Sequence, residues 1–119
     1  MENFAVIDLG SNSVRMTINK VFDDGTFELV TQMKEYVRLS ENMGEKKILQ
    51  PEAIDRTLKA LQEFKDTYSK LDNLELRAVA TAAVRQASNQ KKFLKTVKSE
   101  IGLDLEVIPG KTEAYYDYV

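Results

Sequence analysis

The chain has 119 residues, the size of one compact domain, of which 43% are hydrophobic and 30% charged. Its formal net charge is −2, so bulk electrostatics gives no reason to expect a nucleic-acid partner or a membrane surface. Cysteine and histidine are absent, which excludes disulfides, thiolates and imidazole bases from this sequence. Acid–base catalysis would therefore use Asp or Glu, and a bound metal would be a hard ion such as Mg²⁺.

The first half of the chain has the pattern of three strands. Residues 4–9 (FAVIDL) form an almost continuous apolar run, which is typical of a strand buried on both faces. Apolar and polar residues then alternate over 14–19, which predicts a half-buried antiparallel strand. The sequence DDG at 23–25 predicts a hairpin turn, and the alternation over 27–37 predicts a third strand. Residues 38–50 are polar and predict a loop.

The second half alternates helical and strand patterns. Pro51 suits the first position of a helix, and apolar residues recur after it at helical spacing. Ser88 or Asn89 is predicted to cap the next helix. The predicted elements are a helix at about 51–70, a strand that begins the segment 74–84, a helix ended by Gly102, a strand at 103–108 and the opening of a third helix at 111–119.

The order β-β-β-α-β-α-β-α predicts an α/β fold with a mixed five-stranded sheet and helices on its faces. The sequence contains no repeat, low-complexity segment or linker. Its last element, EAYYDYV, breaks off with three tyrosines, so we expect the chain to be the first part of a longer protein. No stretch approaches the roughly 20 apolar residues of a membrane span, and no signal peptide is visible, so we expect a cytoplasmic protein.

The segment VIDLGSNSVRM at 6–16 has two interpretations. The run Gly10-Ser11-Asn12-Ser13 suits a tight turn, because Gly and Asn tolerate positive φ. The same small residues also allow close backbone approach, and their N–H groups and hydroxyls suit a bound phosphate. Asp8 lies at the end of a buried strand and must be hydrogen-bonded or hold a cation. The residues alone leave both interpretations open.

Two further charged residues are candidates. Arg85, in ATAAVRQASN, follows a strand at the position where ligands bind in α/β sheets, and a guanidinium there suits phosphate oxygens. The alternative is a surface arginine paired with an acid. Glu113 has a structural alternative too, since an acid in the first turn of the last helix stabilises the helix dipole. The sequence Gly110-Lys111-Thr112 is not a nucleotide P-loop, because position 105 is leucine.

Four segments in order resemble the exopolyphosphatase and guanosine pentaphosphate phosphohydrolase (Ppx/GppA) phosphatase family. They are AVIDLGSNSVRM, VRLSENM, ATAAVRQASNQKKFL and EVIPGKTEAYY, within residues 4–119. The resemblance implies a lobe of the ribonuclease-H-like fold of the actin-like ATPase superfamily. Family members have two such lobes with the substrate between them. Residues 1–119 would be the single N-terminal lobe, with the second lobe absent from this chain.

The resemblance also implies roles for the candidate residues. Asp8 would hold Mg²⁺ through water, and Gly10, Ser11, Asn12 and Ser13 would bind phosphates of the substrate. Arg85 would bind the transferred phosphoryl group, and Glu113 would be the general base for the attacking water. Many relatives have two adjacent glutamates at the last motif, whereas Thr112 precedes Glu113 here.

The implied activity is that of an exopolyphosphatase, an enzyme that releases the terminal phosphate of inorganic polyphosphate by Mg²⁺-assisted attack of water. The chain alone is expected to be inactive. Guanosine pentaphosphate is an alternative substrate. Two further alternatives are a nucleotide-binding lobe of the actin or sugar-kinase type and a non-enzymatic phosphate-binding module. The expected partners are the substrate, the missing second lobe and, as an alternative, a second copy of the chain.

Overall fold

The computed structural model describes residues 2–109 of the chain. Its elements follow the predicted order, with one short helix added. They are β1 (Glu2–Leu9), β2 (Val14–Val21), β3 (Phe27–Glu35), α1 (Pro51–Tyr68), β4 (Leu74–Ala80), α2 (Ala82–Gln86), α3 (Gln90–Ile101) and β5 (Glu106–Val107). None of these described helices is long and apolar enough to cross a membrane. The helix predicted over 111–119, and with it Glu113, lies outside the described residues.

The strands form one five-stranded sheet in the order β3-β2-β1-β4-β5. β2 pairs antiparallel with both β1 and β3, whereas β4 pairs parallel with both β1 and β5. The predicted mixed five-stranded sheet is therefore confirmed. Because β1, β4 and β5 run in the same direction, their carboxyl ends meet at one edge of the sheet, which we call the carboxyl edge.

The core lies between the sheet and the helices. Ala5, Ile7 and Leu9 of β1 are fully buried in a cluster that includes Phe64 of α1 and Phe93 of α3. The alternate residues of β1 are partly exposed. The expectation that β1 is buried on both faces is therefore wrong within residues 2–109: one face is buried, because α1 and α3 both pack on it.

The loop at 38–50 is present as predicted, but it is anchored in the core. β3 ends at Glu35 rather than at residue 37, because Glu35 pairs with Val14, where β2 begins. The chain then turns inward: Leu39 is fully buried, and Leu49 is 1% exposed. These apolar side chains fix both ends of the 38–50 loop against the domain.

The second half of the chain differs from prediction in detail. β4 begins the segment 74–84 as predicted and ends at Ala80, and the small residues after it form α2, a short helix that was not predicted. α3 ends as predicted at Gly102, whose φ of 77° is the left-handed conformation that glycine adopts at helix C-termini. β5 is shorter than the predicted 103–108, because its pairing with β4 extends over Glu106 and Val107.

Candidate functional site

Three features that the sequence singles out meet at the carboxyl edge. Asp8 lies next to the end of β1 and is paired with Val79 of β4. The residues 10–13, which we call the 10–13 turn, follow β1 directly, and α2 with Arg85 follows β4. Asp8, the 10–13 turn and Arg85 therefore share one edge of the sheet, whereas Glu113 lies outside the described residues.

The 10–13 turn is closed by a hydrogen bond from the Gly10 N–H to the Ser13 carbonyl at 2.9 Å. The expectation that Gly and Asn supply positive φ here is wrong: the positive φ angles of the described residues fall elsewhere. Space is the actual requirement, since a Cβ on Gly10 would lie 3.3 Å from the Ser13 carbonyl oxygen and 3.9 Å from Thr81 Oγ1. The turn thus needs glycine for close approach.

Thr81 joins the ends of the two central parallel strands, a role that sequence reasoning missed. Its N–H and its hydroxyl both donate to the carbonyl of Leu9, at 3.0 and 3.2 Å. The side chain is buried, at 3% exposure. The available signal was a polar residue in the apolar run AVATAAV, since a buried hydroxyl requires a partner.

Arg85 is held between the ends of β4 and β5. Its backbone N–H donates to the Thr81 carbonyl at 2.8 Å, within the single turn of α2. Its Nη1 donates to the carbonyl of Ile108, just after β5, at 3.1 Å. The guanidinium is therefore half-buried at the carboxyl edge and is oriented by a backbone acceptor.

The 38–50 loop supports the 10–13 turn from outside the sheet. The Arg38 N–H donates to the Asn12 carbonyl at 2.9 Å, and the Ser40 N–H donates to the Ser11 carbonyl at 3.0 Å. Sequence reasoning identified the loop but not this contact, because it joins residues far apart in the chain.

The far end of the 38–50 loop contacts the segment after Arg85. The Ser88 N–H donates to the Lys47 carbonyl at 2.8 Å. The side-chain amide of Asn89 accepts from the Leu49 N–H at 3.0 Å and donates to the Leu49 carbonyl at 3.1 Å. Asn89 does occupy the N-cap position of α3, but the predicted side-chain cap bond is not formed within the described residues.

Two basic residues share a row of the sheet with Asp8. Arg15 of β2 lies directly opposite Asp8, and Lys34 of β3 lies opposite Arg15. Side chains that face each other in antiparallel pairs have Cβ atoms about 4.5–5.5 Å apart. The sheet register therefore places two basic residues in the same row as Asp8, and this feature was not predicted.

The donors at this edge suit a magnesium ion that is only partly coordinated by protein. No group of three or more acidic, histidine or cysteine side chains forms a metal cluster in the described part of the chain. Mg²⁺, however, commonly retains several waters and is held through one or two carboxylates and substrate phosphates. Asp8 fits that mode, and residues 2–109 offer no all-protein cage.

Two cavities of the described residues border α1. One of about 240 Å³ borders α1 and includes Tyr36, Arg56 and Lys59. Another of about 390 Å³ lies between α1 and α3 and includes Ile54 and Phe93.

The model of the Ppx/GppA phosphatase family matches residues 17–119 of the chain. The chain is similar to the Ppx/GppA family member of Aquifex aeolicus, at 36% identity and a TM-score of 0.91, over 98% of this chain and 38% of that chain. It is also similar to an exopolyphosphatase from Cytophaga hutchinsonii, at 29% identity and a TM-score of 0.87, over 92% of this chain and 35% of that chain. The chain thus spans well under half the length of these relatives.

A more distant likeness concerns the fold alone. The ethanolamine utilization protein EutJ from Carboxydothermus hydrogenoformans is 12% identical, with a TM-score of 0.50, over 90% of this chain and 36% of that chain. Together with the sheet order, these likenesses confirm the expected fold class. The chain has the ribonuclease-H-like fold.

Proposed function

The chain belongs to the Ppx/GppA phosphatase family, and we propose that it is part of a phosphohydrolase that releases the terminal phosphate of inorganic polyphosphate. One observation carries the proposal: Asp8, the 10–13 turn and Arg85 meet at the carboxyl ends of β1 and β4. Ligands of open α/β sheets bind outside this edge. The similarity to an exopolyphosphatase favours polyphosphate as the substrate.

The proposed role of the turn and of Arg85 is to bind and neutralise phosphate. Backbone N–H groups and the hydroxyls of Ser11 and Ser13 are donors to a phosphate oxygen. The Arg85 guanidinium supplies a fixed positive charge, and a guanidinium bonds well to two phosphate oxygens at once. Phosphoryl transfer depends mainly on positioning and charge neutralisation, which these groups are suited to provide.

Asp8 is the residue that we propose to hold Mg²⁺, through water. When bound, the ion neutralises charge on the phosphate oxygens. Arg15 lies opposite Asp8 in the sheet.

Glu113 is the proposed general base. The oxygen of a water molecule attacks the terminal phosphorus, the bond from that phosphorus to the bridging oxygen breaks, and the proton of the water passes to the Glu113 carboxylate. This sequence contains no histidine but offers carboxylates, which supports the choice of Glu113. The departing chain, shorter by one phosphate, retains the electron pair of the broken bond.

The remainder of the site is proposed to come from a second lobe. This chain covers 38% and 35% of the two family structures described above. We therefore expect the 119-residue chain alone to give no measurable turnover. Steady phosphate release by the purified chain would contradict this part of the proposal.

The test uses the complete protein that carries this sequence. Phosphate release is measured from polyphosphate, guanosine pentaphosphate and ATP in the presence of Mg²⁺. The proposal predicts the highest kcat/KM for polyphosphate, and a preference for the nucleotides would overturn the choice of substrate. Glu113→Gln is expected to lower kcat about 100-fold or more while polyphosphate binding persists.

The matched control for Glu113→Gln is Glu100→Gln. Glu100 is an exposed acid on α3, away from the carboxyl edge. Its replacement removes the same charge and is expected to leave kcat unchanged. Loss of polyphosphate binding in Glu113→Gln to the same degree as kcat would contradict the assignment of a base.

A further inference from the structure

We propose that Arg56 of α1 is a positioning residue that orients the phosphate-binding N–H groups of the 10–13 turn through the start of the 38–50 loop. Its Nε donates to the carbonyl of Val37 at 2.9 Å. Its Nη2 donates to the carbonyl of Arg38 at 3.3 Å and lies 3.3 Å from Glu41 Oε1. One guanidinium thus holds two successive backbone carbonyls and one carboxylate where the loop begins.

The loop in turn fixes the peptide planes of the 10–13 turn. The carbonyls of Ser11 and Asn12 accept hydrogen bonds from Ser40 and Arg38. In a trans peptide the N–H of the next residue points away from the preceding carbonyl. The N–H groups of Asn12 and Ser13 are therefore directed away from the loop. An anion bound by the turn would accept hydrogen bonds from these N–H groups, so the loop sets the direction of the donors.

The backbone of Arg38 indicates that this contact is specifically held. Its φ is 47°, in the left-handed region that residues other than glycine rarely adopt. Such a conformation persists when its surroundings over-determine it. Here the N–H of Arg38 is bound to the turn and its carbonyl is bound to Arg56. Arg56 and the turn thus hold the same residue from its two sides.

Glu41 completes the arrangement. It lies 3.3 Å from Arg56 Nη2 and 3.8 Å from Arg38 Nε. The Arg56 side chain is 30% exposed, so it is more enclosed than that of Arg38, at 60%. A planar guanidinium donates in several fixed directions at once, whereas a lysine ammonium acts as a point charge. The geometry around Arg56 therefore requires arginine.

The expected consequence rests on the proposed function: loss of Arg56 weakens substrate binding more than it slows chemistry. Arg56→Met in the complete protein should raise the KM for polyphosphate about tenfold, the effect of losing one well-oriented hydrogen bond to a charged group. Its kcat should stay within about twofold, because the base and the attacking water are not touched. Arg56→Lys should recover part of the affinity.

The matched control is Lys65→Met. Lys65 lies on the same helix and its Nζ donates to the Ile101 carbonyl at 2.7 Å, so it also links α1 to a backbone acceptor. It holds the end of α3 rather than the loop. Its replacement is expected to lower stability without changing the KM for polyphosphate. An equal rise of KM in both variants would mean a general structural effect and would overturn the proposal.

A second measurement is independent of catalysis. Hydrogen exchange of the Arg38 and Ser40 amides should be faster in Arg56→Met than in the wild-type protein, and unchanged in Lys65→Met. Unchanged exchange, or unchanged polyphosphate affinity, in Arg56→Met would overturn the proposal. If Arg56→Met does not fold, the Arg56→Lys variant provides the test. A wild-type KM for polyphosphate together with wild-type hydrogen exchange of the Arg38 and Ser40 amides in that variant would overturn the proposal.

The two proposals fail in different ways. A wild-type protein that neither binds nor hydrolyses polyphosphate would refute the proposed function, and the role of Arg56 in binding would fall with it. A wild-type protein that hydrolyses polyphosphate, with an Arg56→Met variant of equal KM, would refute the role of Arg56 alone.

Discussion

Asn89 provides a direct test of how the 38–50 loop is attached to the domain. Its side-chain amide bonds both the N–H and the carbonyl of Leu49, at 3.0 and 3.1 Å, and Leu49 is 1% exposed. In Asn89→Ser the hydroxyl is too short to reach both groups. Each buried backbone group left without a partner costs about 1–3 kcal/mol. A new hydrogen bond from the serine hydroxyl at the N-cap position would restore about 1 kcal/mol of the free energy of unfolding.

The net loss in Asn89→Ser is therefore expected to be about 2 kcal/mol, which corresponds to a fall in Tm of about 8 °C for a domain of this size. Urea and thermal unfolding followed by circular dichroism measure it. Ser88→Ala is the control, because its exposed hydroxyl makes one bond at 3.2 Å and its loss should cost less than about 0.5 kcal/mol. If Asn89 acted as a helix cap, serine would replace it without loss. Wild-type stability in Asn89→Ser would therefore refute the reasoning.

Two further predictions concern the turn and the pH dependence of stability. Gly10→Ala places a Cβ 3.3 Å from the Ser13 carbonyl oxygen, so urea unfolding should show a net loss of about 1 kcal/mol, and equal or higher stability would contradict the close approach. Burial raises the pKa of Tyr68 above its ordinary value of 10, so the folded state retains the phenol proton at pH values where the unfolded state loses it. The free energy of unfolding should therefore be unaffected by this group below pH 10 and should fall as the pH rises further. Tyr68→Phe should remove the contribution of this group to the fall of the unfolding free energy with pH. An identical dependence on pH above 10 in both proteins would contradict this prediction.

Residues whose partners are near in the chain were predictable, and residues whose partners are distant were not. Gly102 ends α3 because of its own backbone preference, which the sequence displays. Asn89 looks like a cap by the same local logic, yet its partner Leu49 is 40 positions away. Thr81 bonds to Leu9 across 72 positions. Only the folded domain brings such residues together, so pattern alone could not assign them.

The same distinction applies to the residues of the candidate site. The placement of Asp8 and Arg85 at one edge of the sheet could be predicted, because both residues lie near the carboxyl ends of parallel strands. The register is not visible in the sequence, and it is the register that sets Arg15 opposite Asp8. The sequence indicates that the small residues of the turn allow close approach, but not that Gly10 approaches the Ser13 carbonyl and the Thr81 hydroxyl. These neighbours become apparent only once the neighbouring strand end is present.

The 38–50 loop connects the two groups of the site that are proposed to contact phosphate. At one end its N–H groups hold the carbonyls of the 10–13 turn, and at the other its backbone is held by Ser88 and Asn89, which follow Arg85 in the chain. Movement of the loop therefore alters both contacts together. Because this loop contributes Leu39 and Leu49 to the core, the site geometry depends on core packing as well as on the residues at the edge. A cavity made beneath Leu39 would accordingly weaken phosphate binding without any change to a residue that contacts the phosphate.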